Sequence, residues 1–153
     1  MQTLLMRRSL IEPVAVPHWP DGVRLETFCE MCASEAHALL TLTYANGGGS
    51  VAPFGEWWKY LSGDEEYDPS LCFPAYERGG RLIGFAQCWT RAFVKDLVVR
   101  PSHQQRGVGR ALMLHAFGIF AGRGAKTVAL KVQGDNSVAI RFYESLGMSR
   151  VSI

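Results

Sequence analysis

The stretch Leu97-Val98-Val99-Arg100-Pro101-Ser102-His103-Gln104-Gln105-Arg106-Gly107-Val108-Gly109-Arg110-Ala111-Leu112 constrains this chain more than any other. Its apolar residues run as a buried strand and stop at Arg100-Pro101, because proline cannot donate to a strand ladder. A helix is expected from Val108 to Ala121, with Val108, Ala111, Leu112, Ile119 and Phe120 at helical spacing. The first N–H groups of a helix have no intrahelical acceptor and carry the positive end of its dipole, so this junction suits an anionic diphosphate. Glycine at 107 and 109 removes the β-carbons that would keep a phosphate from the backbone.

Two familiar phosphate motifs do not fit. A dinucleotide fingerprint needs a third glycine where Leu112 stands, and a Walker loop needs Gly-Lys-Ser/Thr, which is absent. Two readings stay open on the residues alone: a pyrophosphate loop of another kind, or a glycine-rich connection with Arg106 and Arg110 in solvent.

The rest of the chain supplies strands and helices in mixed order. Val23 to Phe28 alternates as a strand, Ala33 to Tyr44 reads as a helix, and Phe54 to Leu61 as a short aromatic helix. Asn46-Gly47-Gly48-Gly49-Ser50 reads as a loop, and so does the acidic run Ser62 to Pro69. Leu71 to Glu77 and Leu82 to Trp89 flank Arg78-Gly79-Gly80-Arg81, whose glycines suit a hairpin turn. Strands at Ala92 to Val99 and Lys126 to Val132 bracket the glycine-rich helix. A last helix, Ser137 to Leu146, is capped by Asn136, stopped by Gly147 and apolar along Val138, Ala139, Phe142, Tyr143 and Leu146. An antiparallel front half followed by strand-helix-strand-helix points to a three-layer α/β domain.

Composition sets limits. A chain of 153 residues has room for one domain, and 48% apolar with 20% charged residues is the balance of a packed fold, not a disordered one. A net charge of +2 argues against a general nucleic-acid or membrane-surface binder. Met1 to Leu10 lacks the apolar run of a signal peptide, and no stretch approaches a membrane span, so a soluble cytoplasmic protein with reduced thiols is expected. Cys29-Glu-Met-Cys32 has the spacing of a dithiol or half a zinc site, but Cys72, Cys88 and four histidines lack the spacing to complete one. No metal site is expected, and the plain reading of the pair is two small apolar side chains at a strand-to-helix junction.

Gln104-Gln105-Arg106-Gly107-Val108-Gly109 resembles the Gln/Arg-x-x-Gly-x-Gly/Ala signature of the GCN5-related N-acetyltransferases (GNAT). Leu97 to Pro101 looks like that family's strand-to-loop lead-in. Asn136 to Met148 resembles its second motif, Asn-x-x-Ala-x-x-x-Tyr-x-x-x-Gly-Phe, with Met148 in place of phenylalanine. The match runs in element order from Val23 to Ile153 and is tight from about Phe93 to Met148. It implies a three-layer acyl-CoA N-acyltransferase fold, with a mixed, mostly antiparallel sheet and a parallel strand pair splayed at the cofactor site.

By this resemblance, the backbone of Leu97, Val98 and Val99 pairs with the pantetheine arm of acetyl-CoA. Gln104, Gln105, Arg106, Gly107, Val108, Gly109 and Arg110 form the pyrophosphate loop, the N–H groups from Gln105 to Arg110 making the cradle. Arg106 and Arg110 add charge, and Asn136 hydrogen-bonds the pantetheine arm. Tyr143 matches the position that hydrogen-bonds or protonates the departing thiolate. A phenol of pKa about 10 gives its proton to a thiolate of about 8.5 uphill by roughly 2 kcal/mol, so hydrogen bonding matters as much as transfer. Freeing an alkylamine of pKa about 10.4 at pH 7 costs about 4.6 kcal/mol, which calls for a base. Asp96 is the best-placed acid for that role; its other reading is a structural carboxylate. Lys95 stands where some polyamine-acetylating relatives carry glutamate, which weighs against a base of that type.

The resemblance puts the acceptor near Tyr44, Trp57, Trp58, Tyr60, Tyr67 and Trp89, beside Asp64, Glu65, Glu66 and Asp68. The implied reaction moves an acetyl group from acetyl-CoA to a primary amine of a small molecule or peptide, by direct attack in a ternary complex. The alternatives are a non-catalytic acyl-CoA-binding module and, more remotely, a Cys29/Cys32 dithiol oxidoreductase. Family domains normally carry one more strand after the position of Val151 and Ile153. With residues 1–21 as an N-terminal extension and 22–153 as the domain, Thr3 to Leu10 is the candidate to fill that slot, within the chain or in a homodimer mate.

Overall fold

The computed structural model describes residues 2–45 and 50–151. Its strands are β1 (Thr3–Ser9), β2 (Arg24–Leu25), β3 (Cys72–Tyr76), β4 (Leu82–Trp89), β5 (Phe93–Val99), β6 (Thr127–Gln133) and β7 (Ser149–Arg150). They form a single sheet in the order β2-β3-β4-β5-β6-β1-β7. Every residue of β4 is buried, as expected of a strand covered on both faces. On one face α1 (Glu30–Tyr44) and α2 (Phe54–Ser62) pack Leu39, Leu40, Trp57 and Leu61 against Leu82, Phe85 and Trp89. On the other, α3 (Val108–Gly122) and α4 (Ser137–Ser145) set Leu112, Phe117 and Ile140 over Ile83, Ala86 and Val128. The result is three layers with two apolar cores.

Neighbouring strands are antiparallel except β5 and β6, which pair in parallel only at Phe93↔Ala129 and Val94↔Leu130. The register between β4 and β5 jumps from Cys88↔Val94 to Gln87↔Asp96, so Lys95 is the extra residue of a bulge. β1 lies inside the sheet, antiparallel to β6 from Thr3↔Gln133 to Ser9↔Thr127 and to β7 at Met6↔Arg150. Met6, at the middle of β1, is fully buried.

Several local expectations change. The strand at 23–28 shortens to Arg24–Leu25, because after the Ala75↔Leu25 pair the edge continues through a single bond from the Glu26 N–H to the Pro74 carbonyl. α1 starts at Glu30 because the Cys29 carbonyl already accepts from Cys32 and Ala33. In the β3–β4 turn only Gly80 takes positive φ, at +89°. Along α4, Val138 faces solvent and Ile140 is buried instead, so the core stripe runs through Ala139, Ile140, Tyr143 and Leu146. β7 covers Ser149–Arg150, and Val151 adds a bond to the Leu5 carbonyl at 2.9 Å. Ile153 and Asn46 to Gly49 lie outside the described residues.

Candidate active site

Beyond Val94 and Leu130 the parallel strands part. The gap opens into a cavity of about 550 Å³ lined by Lys95 and Leu97 of β5, Lys131 and Gln133 of β6, and Asn136 and Tyr143 at α4. Leu97, Val98 and Val99 remain paired with Ala86, Phe85 and Gly84 of β4, but among the described residues no strand pairs with their other edge. An open strand edge at a cavity presents amide groups that an extended amide-bearing ligand can bond.

The chain leaves β5 through a fastened turn. The Arg100 guanidinium donates to the Leu82 carbonyl at 3.1 and 2.9 Å, and the Gln104 side chain donates to the Val99 carbonyl at 3.0 Å. His103 lies 3.3 Å from Glu77. Gln105 then takes φ +63° and Gly107 φ +93° before α3 begins. The first α-helical bond is Ala111 N–H to the Gly107 carbonyl at 3.0 Å, and among the described residues the N–H groups from Gln105 to Arg110 find no acceptor. A consecutive run of free donors at the N-terminus of a 15-residue helix suits an anion. Gly84 lets the helix come this close: a β-carbon there would stand 2.9 Å from Val108 Cγ1 and 3.0 Å from Leu112 Cδ1. Arg106 and Arg110 are exposed, and Arg106 also borders a separate hollow with Pro20, Asp21 and His103.

Asn136 caps α4, its Oδ1 accepting from the Ala139 N–H at 3.1 Å, while still lining the cavity. Tyr143 lies on the inner stripe of the same helix. Burial, followed by the nearby Asp96 charge, pushes its phenol up to about 12. The group is therefore a neutral hydrogen-bond donor throughout the ordinary pH range.

Asp96 is nearly enclosed. Its Oδ1 accepts from the Tyr44 hydroxyl at 3.0 Å and its Oδ2 pairs with Lys95 Nζ at 2.9 Å. Burial first and Asp96 second also raise the Tyr44 phenol, so it too stays protonated. Tyr44 and Lys95 line both the first cavity and a second one of about 350 Å³, walled by Asp96, Glu56, Trp57 and Tyr60. The Lys95 ammonium also sits 5.9 Å from the Tyr60 ring centre. Asp96 and its partners thus occupy the partition between two adjoining spaces.

Residues 35–148 match the model of the acetyltransferase (GNAT) family. The chain belongs to the GNAT family. Among its relatives, this GNAT chain is 33% identical to a mycothiol acetyltransferase of Thermobispora bispora, over 97% of its own length and 54% of the relative's. It is 35% identical to that of Thermomonospora curvata, over 98% and 52%. The chain therefore spans about half the length of these curated relatives. A GCN5-related N-acetyltransferase from Sphaerobacter thermophilus has the same fold, with a TM-score of 0.83 and 24% identity over 97% of this chain and 48% of that one. Arabidopsis thaliana Naa50, solved with the bisubstrate analogue CoA-Ac-MVNAL, shares it at a TM-score of 0.65 and 19% identity, with 82% of each chain covered.

The GNAT fold brings Leu97, Asn136 and Tyr143 to one cavity and puts the loop 104–110 at the end of the same strand. Asp96 lies behind that cavity, tied to Tyr44 and Lys95. On the acceptor side, Tyr44, Trp57 and Tyr60 line the second cavity, whereas Trp58, Tyr67 and Trp89 pack within the α1/α2 core. The acidic loop is engaged elsewhere: Glu66 pairs with Arg91 at 2.6 Å, and Asp68 binds Ser70 and Arg123. Glu56, in the first turn of α2, joins Asp96 as an acid lining the second cavity, and its only sequence signal is that helix-start position. Cys29 is exposed, not a buried apolar filler, because it stands just before α1; Cys32 is buried.

Proposed function

We propose that this GNAT chain transfers an acetyl group from acetyl-CoA to a primary amine by direct attack in a ternary complex. The observation that carries the reading is the continuity of three features: the free N–H groups of residues 105–110, the open edge of β5, and a cavity ending at Tyr143. A diphosphate, an amide-bearing arm and a sulfur fit that order. Acetyl-CoA supplies the activated thioester. The chain's own groups do the rest: residues 105–110 hold the diphosphate, Leu97 to Val99 and Asn136 hold the arm, and Tyr143 donates to the sulfur. With a phenol near 12 against a thiol of about 8.5, full proton transfer is uphill by about 5 kcal/mol, so Tyr143 acts by hydrogen bonding.

The amine enters from the second cavity and meets Asp96 across the partition, where the carboxylate draws off its proton. Trp57, Tyr60 and Glu56 form a wall suited to a cationic amine. The name shared by the curated relatives, mycothiol acetyltransferase, favours a small-molecule acceptor over a peptide. Thiol release from acetyl-CoA, followed across aminoglycosides, polyamines, amino acids and peptide N-termini, tests the reading. Acceleration by one class supports it, and no acceleration by any, with binding intact, overturns it.

One observation favours a second reading. Both Asp96 oxygens are already engaged, by Tyr44 and Lys95. An acyl-CoA-binding module would show tight acetyl-CoA binding with no amine-dependent turnover.

A further inference from the structure

Cys29 and Cys32 play no part in the site above. Cys29 stands immediately before α1 with an extended backbone, φ −143° and ψ 172°, and is exposed; Cys32 lies one turn inside and is buried. Their sulfurs are 3.4 Å apart, and neither is joined to another cysteine. Among the described residues no group of three or more histidines, cysteines or acids could hold a metal, so the pair lacks the further ligands that a zinc site requires.

The arrangement divides the labour of thiol exchange between an accessible attacking sulfur and a sheltered resolving one. We infer that Cys29 and Cys32 form a reversible dithiol site that exchanges with low-molecular-weight disulfides. The Cys29 thiolate attacks one sulfur of a disulfide RSSR, forming a mixed disulfide and releasing RS⁻, which takes up a proton. The Cys32 sulfur then loses its proton and attacks Cys29 Sγ, closing the Cys29–Cys32 bond and releasing a second thiol. The dithiol loses two electrons and two protons, and RSSR gains them as two RSH. Closure needs the sulfurs to approach from 3.4 Å to about 2.05 Å, within reach of side-chain rotation.

The chemical environment separates this pair from the other two cysteines. The backbone N–H and thiol of Cys32 hold the Cys29 thiol below its ordinary value, with Glu35 opposing. Burial pushes Cys72 up to about 12 and raises Cys88 as well, which leaves both as unreactive thiols. The 15 residues of α1 put about 20 Å between Cys29 and Tyr44, so the exchange is distinct from acetyl transfer.

The test is thiol mapping by mass spectrometry on the whole chain equilibrated across reduced and oxidised glutathione. The wild type is expected to lose the mass of two hydrogens, confined to the peptide holding Cys29 and Cys32. Cys32→Ser is expected to stop at a glutathione adduct on Cys29. Cys29→Ser is expected to give neither product, and it keeps its fold because serine is a favoured helix cap. Alkylation of Cys29 at pH 7 should outpace that of Cys72 by at least about tenfold. The proposal is overturned if both thiols stay alkylatable across the series, or if Cys32→Ser carries no adduct on Cys29.

Discussion

The hydroxyl of Tyr44 donates to Asp96 across 3.0 Å, joining the last residue of α1 to the strand that leads into the anion loop. With Lys95 on the other carboxylate oxygen, this bond fixes Asp96 at the partition between the two cavities. Asp96→Asn keeps the shape of the side chain and removes its charge. The expected result is a fall in turnover of about a hundredfold with acetyl-CoA affinity unchanged, the range for a lost general base. Tyr44→Phe is expected to lower unfolding free energy by about 1.5–3 kcal/mol, as for a hydrogen bond to a charged group. Steady-state kinetics and denaturant melts check both, and an Asp96→Asn protein with native turnover would remove Asp96 from the reaction.

Tyr143 must keep its proton to donate to a leaving sulfur, and a raised phenol keeps it in that form. The rate is therefore expected to show no falling limb from Tyr143 before about pH 11. Tyr143→Phe should depress the whole profile by about a hundredfold without changing its shape. A descending limb near pH 9 in the wild type, absent from the variant, would contradict the hydrogen-bonding role.

Gly84 carries the close contact between β4 and the start of α3. Gly84→Ala sets a methyl against Val108 and Leu112, with an expected loss of about 1–3 kcal/mol in stability. Because the displaced residues open α3, weaker acetyl-CoA binding should accompany the loss. Calorimetry on the folded variant measures the second effect separately, and native stability together with native affinity would show that the contact relaxes freely.

β1 is an interior strand, and Met6 is buried at its centre. Met6→Ala is expected to cost about 2–5 kcal/mol, the ordinary range for a buried methionine truncated to alanine. Denaturant unfolding of the whole chain provides the number, and a cost near zero would mean that β1 is not seated between β6 and β7.

Features carried by backbone chemistry were legible in the sequence. Pro101, which cannot donate to a ladder, and Gly107, at φ +93°, mark the end of β5 and the opening of α3. Asn136 and Gly147 bracket α4, the first by a side-chain cap on the Ala139 N–H and the second by its φ of +89°. What escaped depends on contacts between distant parts of the chain. No glycine or proline announces the bulge at Lys95, which arises from register against β4. Tyr44 reads as one more aromatic on a helix until folding sets it against Asp96, and Glu56 reads as a solvated helix-start acid until α2 turns it to the second cavity. Val138 reads as core in the sequence yet faces solvent, because apolarity alone cannot say how α4 is rotated on the sheet.

The central claim is that the unpaired N–H groups of residues 105–110 hold the diphosphate of acetyl-CoA. Amide resonances of the isotope-labelled chain, followed by NMR during titration with CoA and separately with pantetheine, test it most directly. The account predicts that CoA shifts the amides of 105–110 strongly and slows their hydrogen exchange, while pantetheine leaves them unchanged and moves only residues near Leu97 and Asn136. CoA binding that leaves the amides of 105–110 unmoved would contradict it.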